Sequence, residues 1–247
     1  MKNIVYGINP VSELLKAGNS RIKKIIFARE RGTKVIVPLV ERAKKARVPI
    51  EYQPKRALDK TSGTKHHQGV VALVAAHREG DMGDLIESWK NSGDKLLALV
   101  LDGIQDPQNL GALIRTACAS GVHGVITLKH RAAPITGSVV KASAGAVEHT
   151  NIVRVANLGN ALDALKESGA WIVGTCAEST TSLYDIDATL DLVLVMGSEG
   201  EGIRPLIKKK CDFLVNIPLR GNISSLNASA AGAIALYEIV RQRYFKK

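Results

Sequence analysis

Two apolar runs in the second half of the chain, residues 190–196 and 213–217, each end in a loop of glycines and small polar residues, and a helical pattern follows each loop. The first passage reads VLVMGSEGEGIRP and the second FLVNIPLRGNISSLNASAAGAIA. Continuously apolar runs bounded by Gly and Pro suit strands buried on both faces of a parallel sheet. The rest of this half keeps the same rhythm, with strand patterns at 96–101, 122–128 and Trp171–Thr175 and helical patterns at 110–119, Leu158–Glu167 and 226–243. Strands alternating with helices imply a mostly parallel α/β sheet covered on both faces. Ligands of open α/β sheets bind beyond the carboxyl ends of the strands. The two loops, one with Glu199 and the other with Ser225 and Asn227, read as two walls of one site.

The first third has shorter elements: a helical pattern at 11–17, a strand at 24–28, an amphipathic stretch at 35–46, an extended Ile50–Gln53 and a buried strand at 69–76. These predict a small α/β module of the size of ribosomal-protein-like (L30e-like) RNA-binding domains. The polar, glycine-containing HREGDMGD that follows reads as a linker. The expected organisation is therefore a domain over 1–77, a linker and first helix over 78–94, and a larger domain over 95–247. A length of 247 residues accommodates this, and 45% hydrophobic content excludes disorder.

Charge divides the chain at the same place. Residues 1–77 hold 16 Lys and Arg against 5 Asp and Glu, whereas 78–247 hold 18 of each, so the whole net charge of +11 sits in the first third. A basic module beside a neutral one points to a polyanion partner for the first, nucleic acid before a merely solvated surface. No apolar run reaches the ~20 residues of a membrane span. The start, MKNIVYGINP, has no apolar core of an export signal. Cys118, Cys176 and Cys211 are scattered and odd in number, which argues against disulfides and zinc. The expectation is a cytoplasmic protein with reduced thiols, no membrane contact and no metal.

Several polar residues stand where chemistry could occur. In DGIQDPQNLGALIRTACASG, Asp106-Pro107 favours a turn, and Asn109 can cap a helix that begins near Leu110. Arg115, six residues on, is placed to meet a phosphate or to lie on the surface. GSEGEG, Gly197–Gly202, lacks the GxGxxG spacing of a dinucleotide loop, and there is no GxxxxGK[ST]. Glu199 is a candidate ligand contact or cap for the next helix. In SSLN, 224–227, a serine can cap the last helix, and no GxSxG elbow supports a serine nucleophile. The pair His66-His67 could suggest a metal, but adjacent histidines share an ion poorly, and a polar contact near RNA is the better reading.

NLGALIRTA, MGSEGEGI and IPLRGNISSLNASAA, in this order and spacing, resemble the three motifs of the SpoU (TrmH-like) RNA 2′-O-ribose methyltransferases of the SPOUT superfamily. YGINPVSELL and HHQGVVA resemble the substrate-binding extension of the subgroup that methylates a guanosine of 23S rRNA, so the resemblance covers nearly the whole chain. It implies a catalytic α/β domain with a deep trefoil knot, an exception to the rule that chains do not knot. It also implies S-adenosylmethionine as cofactor and a homodimer to which the final helix contributes. Carried over residue by residue, it assigns Asn109, Arg115, Glu199, Ser225 and Asn227 to the catalytic site. Gly197, Ile217 and Leu226 correspond to positions that contact the cofactor, largely through backbone groups.

The implied reaction needs a ribose 2′-hydroxyl aligned with a sulfonium methyl, and removal of one proton. The resemblance makes Arg115 the proton acceptor, or its organiser, once an RNA phosphate is bound. A guanidinium is a reluctant base, so the preferred role is that Arg115 fixes the phosphate and hydroxyl, with the proton's destination open. Glu199, Asn109 and Asn227 would hold the loops, and Ser225 would shape the site. Two alternatives stand beside this reading: a tRNA or another rRNA position as target, and a non-catalytic RNA-binding assembly factor.

Overall fold

The computed structural model describes residues 3–18, 20–29 and 35–245, which form two compact units. The first starts with β1 (Asn3–Tyr6), α1 (Ile8–Lys16), β2 (Ile22–Ala28), α2 (Val37–Lys45), β3 (Ile50–Gln53), α3 (Lys55–Ser62) and β4 (Val70–Val74). Its sheet runs β1-β4-β2-β3, with β4 antiparallel to both neighbours and β2 parallel to β3. Strand side chains alternate, so Ile26 and Ala28 face Val71 and Leu58 of α3, while Ile25 and Phe27 are buried on the opposite face. Both faces are therefore covered, as a strand that reads IKKIIFA requires.

The second unit opens with α4 (Met82–Ser92), capped by Asp81, whose side chain accepts the Gly83 amide at 2.7 Å. Along the chain there follow β5 (Leu97–Asp102), α5 (Pro107–Ala119), β6 (Gly124–Leu128), α6 (Gly137–Ala142, which belongs to the first unit), β7 (Ile152–Val155), α7 (Leu158–Glu167), β8 (Trp171–Thr175), β9 (Leu192–Gly197), α8 (Pro205–Lys208), β10 (Phe213–Val215) and α9 (Ala228–Tyr244). The six strands β10-β8-β9-β5-β6-β7 form one sheet, parallel throughout. From the adjacent strands β5 and β9 the chain leaves in opposite directions, to β6 and to β10. That reversal opens a crevice at the strands' carboxyl ends.

Leu85 and Trp89 of α4, with Leu158, Leu162 and Leu165 of α7, pack in one cluster with Ala98, Val100, Val193 and Val195 of the central strands. Helix α9 packs against α5 and β9. The α5–α9 approach is close enough that a Cβ on Gly232 would lie 2.4 Å from Leu113 Cδ2. The small residues that open α9 are thus packing residues. Arg243, at its far end, donates to the carbonyls of Ala188, Leu96 and Leu190 and ties the helix to the amino ends of the strands.

Residues Ile135–His149 depart from the linear division expected of the sequence, because they pack with the first unit although 95–134 and 150–247 build the second. Helix α6 lies against β1, Arg21 pairs with the buried Glu148, and His149 meets Glu13 at 3.0 Å. His77 Nε2 is 3.0 Å from the Val147 carbonyl. Among the described residues no helix is long and apolar enough to cross a membrane, no cluster of His, Cys, Asp or Glu could hold a metal ion, and all three cysteines are free.

Candidate active site

Strand β9 ends at Gly197 because the chain folds straight back over it. Ser198 and Gly202 exchange two backbone hydrogen bonds, at 3.2 and 3.0 Å, and a Cβ on Gly197 would sit 2.0 Å from the Gly202 carbonyl carbon. Asp102, at the end of the neighbouring β5, holds the far side of this loop. Its carboxylate, 1% exposed, accepts the Arg204 amide at 2.9 Å and the Arg204 Nε at 2.7 Å. Pairing and hydrogen bonding to both backbone and guanidinium are what a buried carboxylate needs.

Glu199, at the tip of the loop, is the hub of three elements. Its Oε1 accepts the side-chain amides of Asn109 at 2.6 Å and Asn227 at 2.5 Å, and lies 3.4 Å from the Ala228 amide. Asn227 Nδ2 also donates to Asn109 Oδ1 at 3.0 Å. Asn227 Oδ1, in turn, accepts the amides of Ser229 at 2.9 Å and Ala230 at 3.3 Å. One amide side chain thus caps α9 and bonds to the two other motifs.

Three capping expectations are corrected. The cap of α5 is Asp106, which accepts the Gln108 and Asn109 amides, and the helix begins at Pro107. Asn109 sits inside the first turn, 7% exposed, which frees its side chain for Glu199. The cap of α9 is Asn227 rather than a serine. Glu199 does not cap the helix that follows it, because α8 starts after Arg204 without a side-chain cap.

Beside this junction a cleft of about 650 Å³ opens at the carboxyl ends of β8, β9 and β10. Gly197, Glu199, Ile217, Ser225, Leu226 and Asn227 all line it. Asn109 lies behind this lining and reaches it through Glu199 and Asn227. Arg115 does not line the cleft. Six residues beyond Asn109 it has turned some 240° around α5, at about 100° per residue, and it is exposed with no hydrogen-bond or ion-pair partner among the described residues.

Sequence reasoning missed the wall after β8. Thr175, Cys176 and Glu178 line the cleft there, with Lys208 of α8. The apolar run WIVGT passing into CAEST was the available signal, the same strand-to-polar-loop step seen after β9 and β10. Cys176 Sγ donates to Glu178 Oε2 at 2.9 Å, and this bond, aided by Lys208 at 3.7 Å, holds the Glu178 carboxyl below the usual carboxylate range. Asn216, also on the lining, has a buried Oδ1 with no hydrogen-bond partner among the described residues.

The donor set fits S-adenosylmethionine. Glycine at 197 lets the Gly202–Ile203 backbone close directly over the strand end and brings backbone groups to the cleft wall. No lysine or arginine cluster awaits a phosphate, since Lys208 is the one basic side chain on the lining and already faces Glu178. The unsatisfied Asn216 Oδ1 would accept an N–H from a bound molecule.

Residues 96–237 match the SpoU rRNA Methylase family, and residues 4–80 match the RNA 2′-O ribose methyltransferase substrate-binding domain. The chain is 44% identical over 239 residues to the 23S rRNA (guanosine-2′-O-)-methyltransferase RlmB of Coxiella burnetii, covering 97% of this chain and 95% of that protein. It is 41% identical over 239 residues to YacO of Bacillus subtilis, named for the TrmH family of tRNA/rRNA methyltransferases, with the same coverage. The structure of the SpoU methyltransferase AviRb from Streptomyces viridochromogenes in complex with AdoMet superposes with a TM-score of 0.81 at 28% identity, over 97% of this chain and 90% of that one. An open parallel sheet with a nucleoside-sized cleft at its switch point defines a cofactor-binding α/β protein. The chain belongs to the SpoU rRNA methylase family.

Proposed function

We propose that this chain transfers a methyl group from S-adenosylmethionine to the 2′-hydroxyl of a guanosine in 23S rRNA, acting as a cytoplasmic homodimer with the knotted threading its family resemblance implies. The observation that carries the reading is the Asn109–Glu199–Asn227 junction, which binds three separate motifs together at the mouth of a cleft shaped for that cofactor. The guanosine and the rRNA follow from the similarity to the Coxiella burnetii protein across nearly the whole of both chains.

The bound cofactor supplies an electrophilic methyl; the chain supplies position. Gly197, Ile217 and Leu226 would hold the adenosyl moiety through backbone groups, and Asn216 would accept one of its N–H groups. Glu199, clamped by two asparagines, keeps the loop after β9 at a fixed distance from the start of α9, and so sets the width of the mouth. Ser225, exposed at that mouth, borders the reacting ribose. Arg115, exposed and without a partner among the described residues, anchors an RNA phosphate and orients the hydroxyl. Such positioning dominates an in-line transfer that involves no covalent enzyme intermediate.

The homodimer reading draws on α9. Its buried side carries Leu236 and Ile239, yet Ile234 and Tyr237, three residues apart and hence on one stripe, stay exposed. Sedimentation at micromolar concentration should give twice the chain mass. The decisive experiment is transfer of a labelled methyl group to unmethylated 23S rRNA, followed by mapping of the modified nucleotide. Label in a guanosine 2′-O-methyl group is the expected result. Label confined to tRNA, or no transfer together with no cofactor binding in calorimetry, would overturn the reading.

A further inference from the structure

The first unit holds a pocket that the methyl-transfer reading does not use. It measures about 290 Å³ and is lined by Lys55, Lys65, His66, Gln68 and Gly69 of the first third, and by Lys141 of α6. That volume stands at the lower edge of the roughly 300–1,000 Å³ typical of small-ligand sites, room for one nucleotide. Among the described residues, three lysines and no carboxylate line it.

The wall is built. His67, fully buried beneath it, accepts the Gly69 amide at Nδ1 (2.9 Å), so its proton is on Nε2, which donates to Asp59 Oδ1 at 2.9 Å. Both ring nitrogens are occupied, which removes His67 as a metal ligand and makes it the brace of the 64–69 loop. Gln68 (φ 56°) and Gly69 (φ 84°) turn the chain sharply there, and Gln68 Oε1 accepts the Ile8 amide at 2.9 Å. Lys141 enters from the segment that leaves the methyltransferase sequence, donates to the His66 carbonyl at 2.8 Å and sits 5.4 Å from the centre of the Tyr6 ring. By contrast, the Lys65 ammonium and the His66 ring are exposed and have no hydrogen-bond or ion-pair partner among the described residues.

We propose that this pocket takes a single unpaired nucleotide of the RNA, with its base stacked on the His66 ring and its phosphate held by Lys65 and Lys141. Unpaired RNA bases are recognised in this way, by stacking on aromatic or histidine rings beside cationic side chains. The inference rests on the reading of the chain as an RNA methyltransferase and gives its substrate-binding unit a defined contact. It also explains why α6 belongs to the first unit: the phosphate clamp is incomplete without Lys141.

The test compares the wild type with Lys65→Ala, His66→Ala and His66→Phe, titrated against an unmethylated 23S rRNA transcript at several salt concentrations. Both altered residues are exposed, and S-adenosylmethionine affinity measured by calorimetry reports an intact second unit in each variant. His66→Ala should weaken RNA binding by roughly five-fold or more, the scale of one lost stacking contact, and His66→Phe should restore it. Lys65→Ala should flatten the slope of log affinity against log salt by about 0.7, the loss of one phosphate contact to a single strand. Wild-type affinity and slope in all three variants would overturn the pocket while leaving the methyltransferase reading intact. His66→Phe failing like His66→Ala would overturn the stacking. A wild type that neither binds nor methylates the transcript would overturn the reading and the pocket together.

Discussion

Glu199 Oε1 stands 2.5 Å from Asn227 Nδ2, although 28 residues and a strand separate them in the chain. The bond joins the loop after β9 to the cap of α9, and Asn109 closes the triangle from α5. Glu199 is itself exposed, yet it is the acceptor that satisfies the buried Asn109 amide. Glu199→Ala should therefore cost about 1–3 kcal/mol of stability, the usual penalty for a buried donor left without its acceptor. It should lower methyl transfer on the order of 100-fold, the usual effect of reacting groups misplaced by about an ångström. Thermal melts and single-turnover assays together check this, and a full-rate variant would remove Glu199 from the site.

Gly197→Ala tests the backbone of the same loop. Its Cβ would overlap the Gly202 backbone at 2.0 Å, which no side-chain rotation relieves. Overpacking of this kind typically costs about 1–3 kcal/mol, and here it also pushes the loop off the cleft wall. Urea denaturation should show the loss of stability, and calorimetry a loss of S-adenosylmethionine binding.

Arg115→Ala isolates a residue that no other side chain among the described residues holds. The variant should fold with wild-type stability and bind cofactor normally while its methyl transfer to rRNA collapses, with Arg115→Lys recovering only part because a lysine cannot reproduce the two-pronged guanidinium contact. Near-normal methylation by Arg115→Ala would sink the role given to Arg115.

Cys211 supplies a pH signature. Burial pushes its thiol from 9.0 up to about 12. The folded state therefore keeps a proton that the unfolded chain releases, and the associated stability is present below pH 9 and lost as pH rises from 9 toward 12. Unfolding free energies across that window should fall less steeply for Cys211→Ala than for the wild type. In the native state Cys211 should resist alkylation at pH 8, where the thiolate is the reactive form.

The sequence on its own determined what depends on local period and on residue type. Trp171–Thr175 and Leu158–Glu167 are the strand and helix that their patterns foretell, because each buries a face its own spacing defines. The carboxyl-end loops after β9 and β10 were legible for the same reason, and six of the eight expected site residues line one cleft. Two kinds of element were not legible: α3, which buries only Leu58, and β1, which is only four residues long.

Tertiary structure alone decided which partner each polar group finds. Asp106 and Asn109 both suit a cap, and the choice between them was made by Glu199, ninety residues away, which takes the Asn109 amide. Arg115 follows Asn109 in the same motif, yet the helical turn carries it away from the cleft. Residues Ile135–His149 lie within the methyltransferase stretch of the sequence but pack on the first unit. Period and propensity act over a few residues, whereas burial of Glu148 beside Arg21 and the placing of Lys141 at the His66 carbonyl are long-range contacts. Local chain order does not encode such contacts; they exist only once residues far apart in the chain have packed into the first unit.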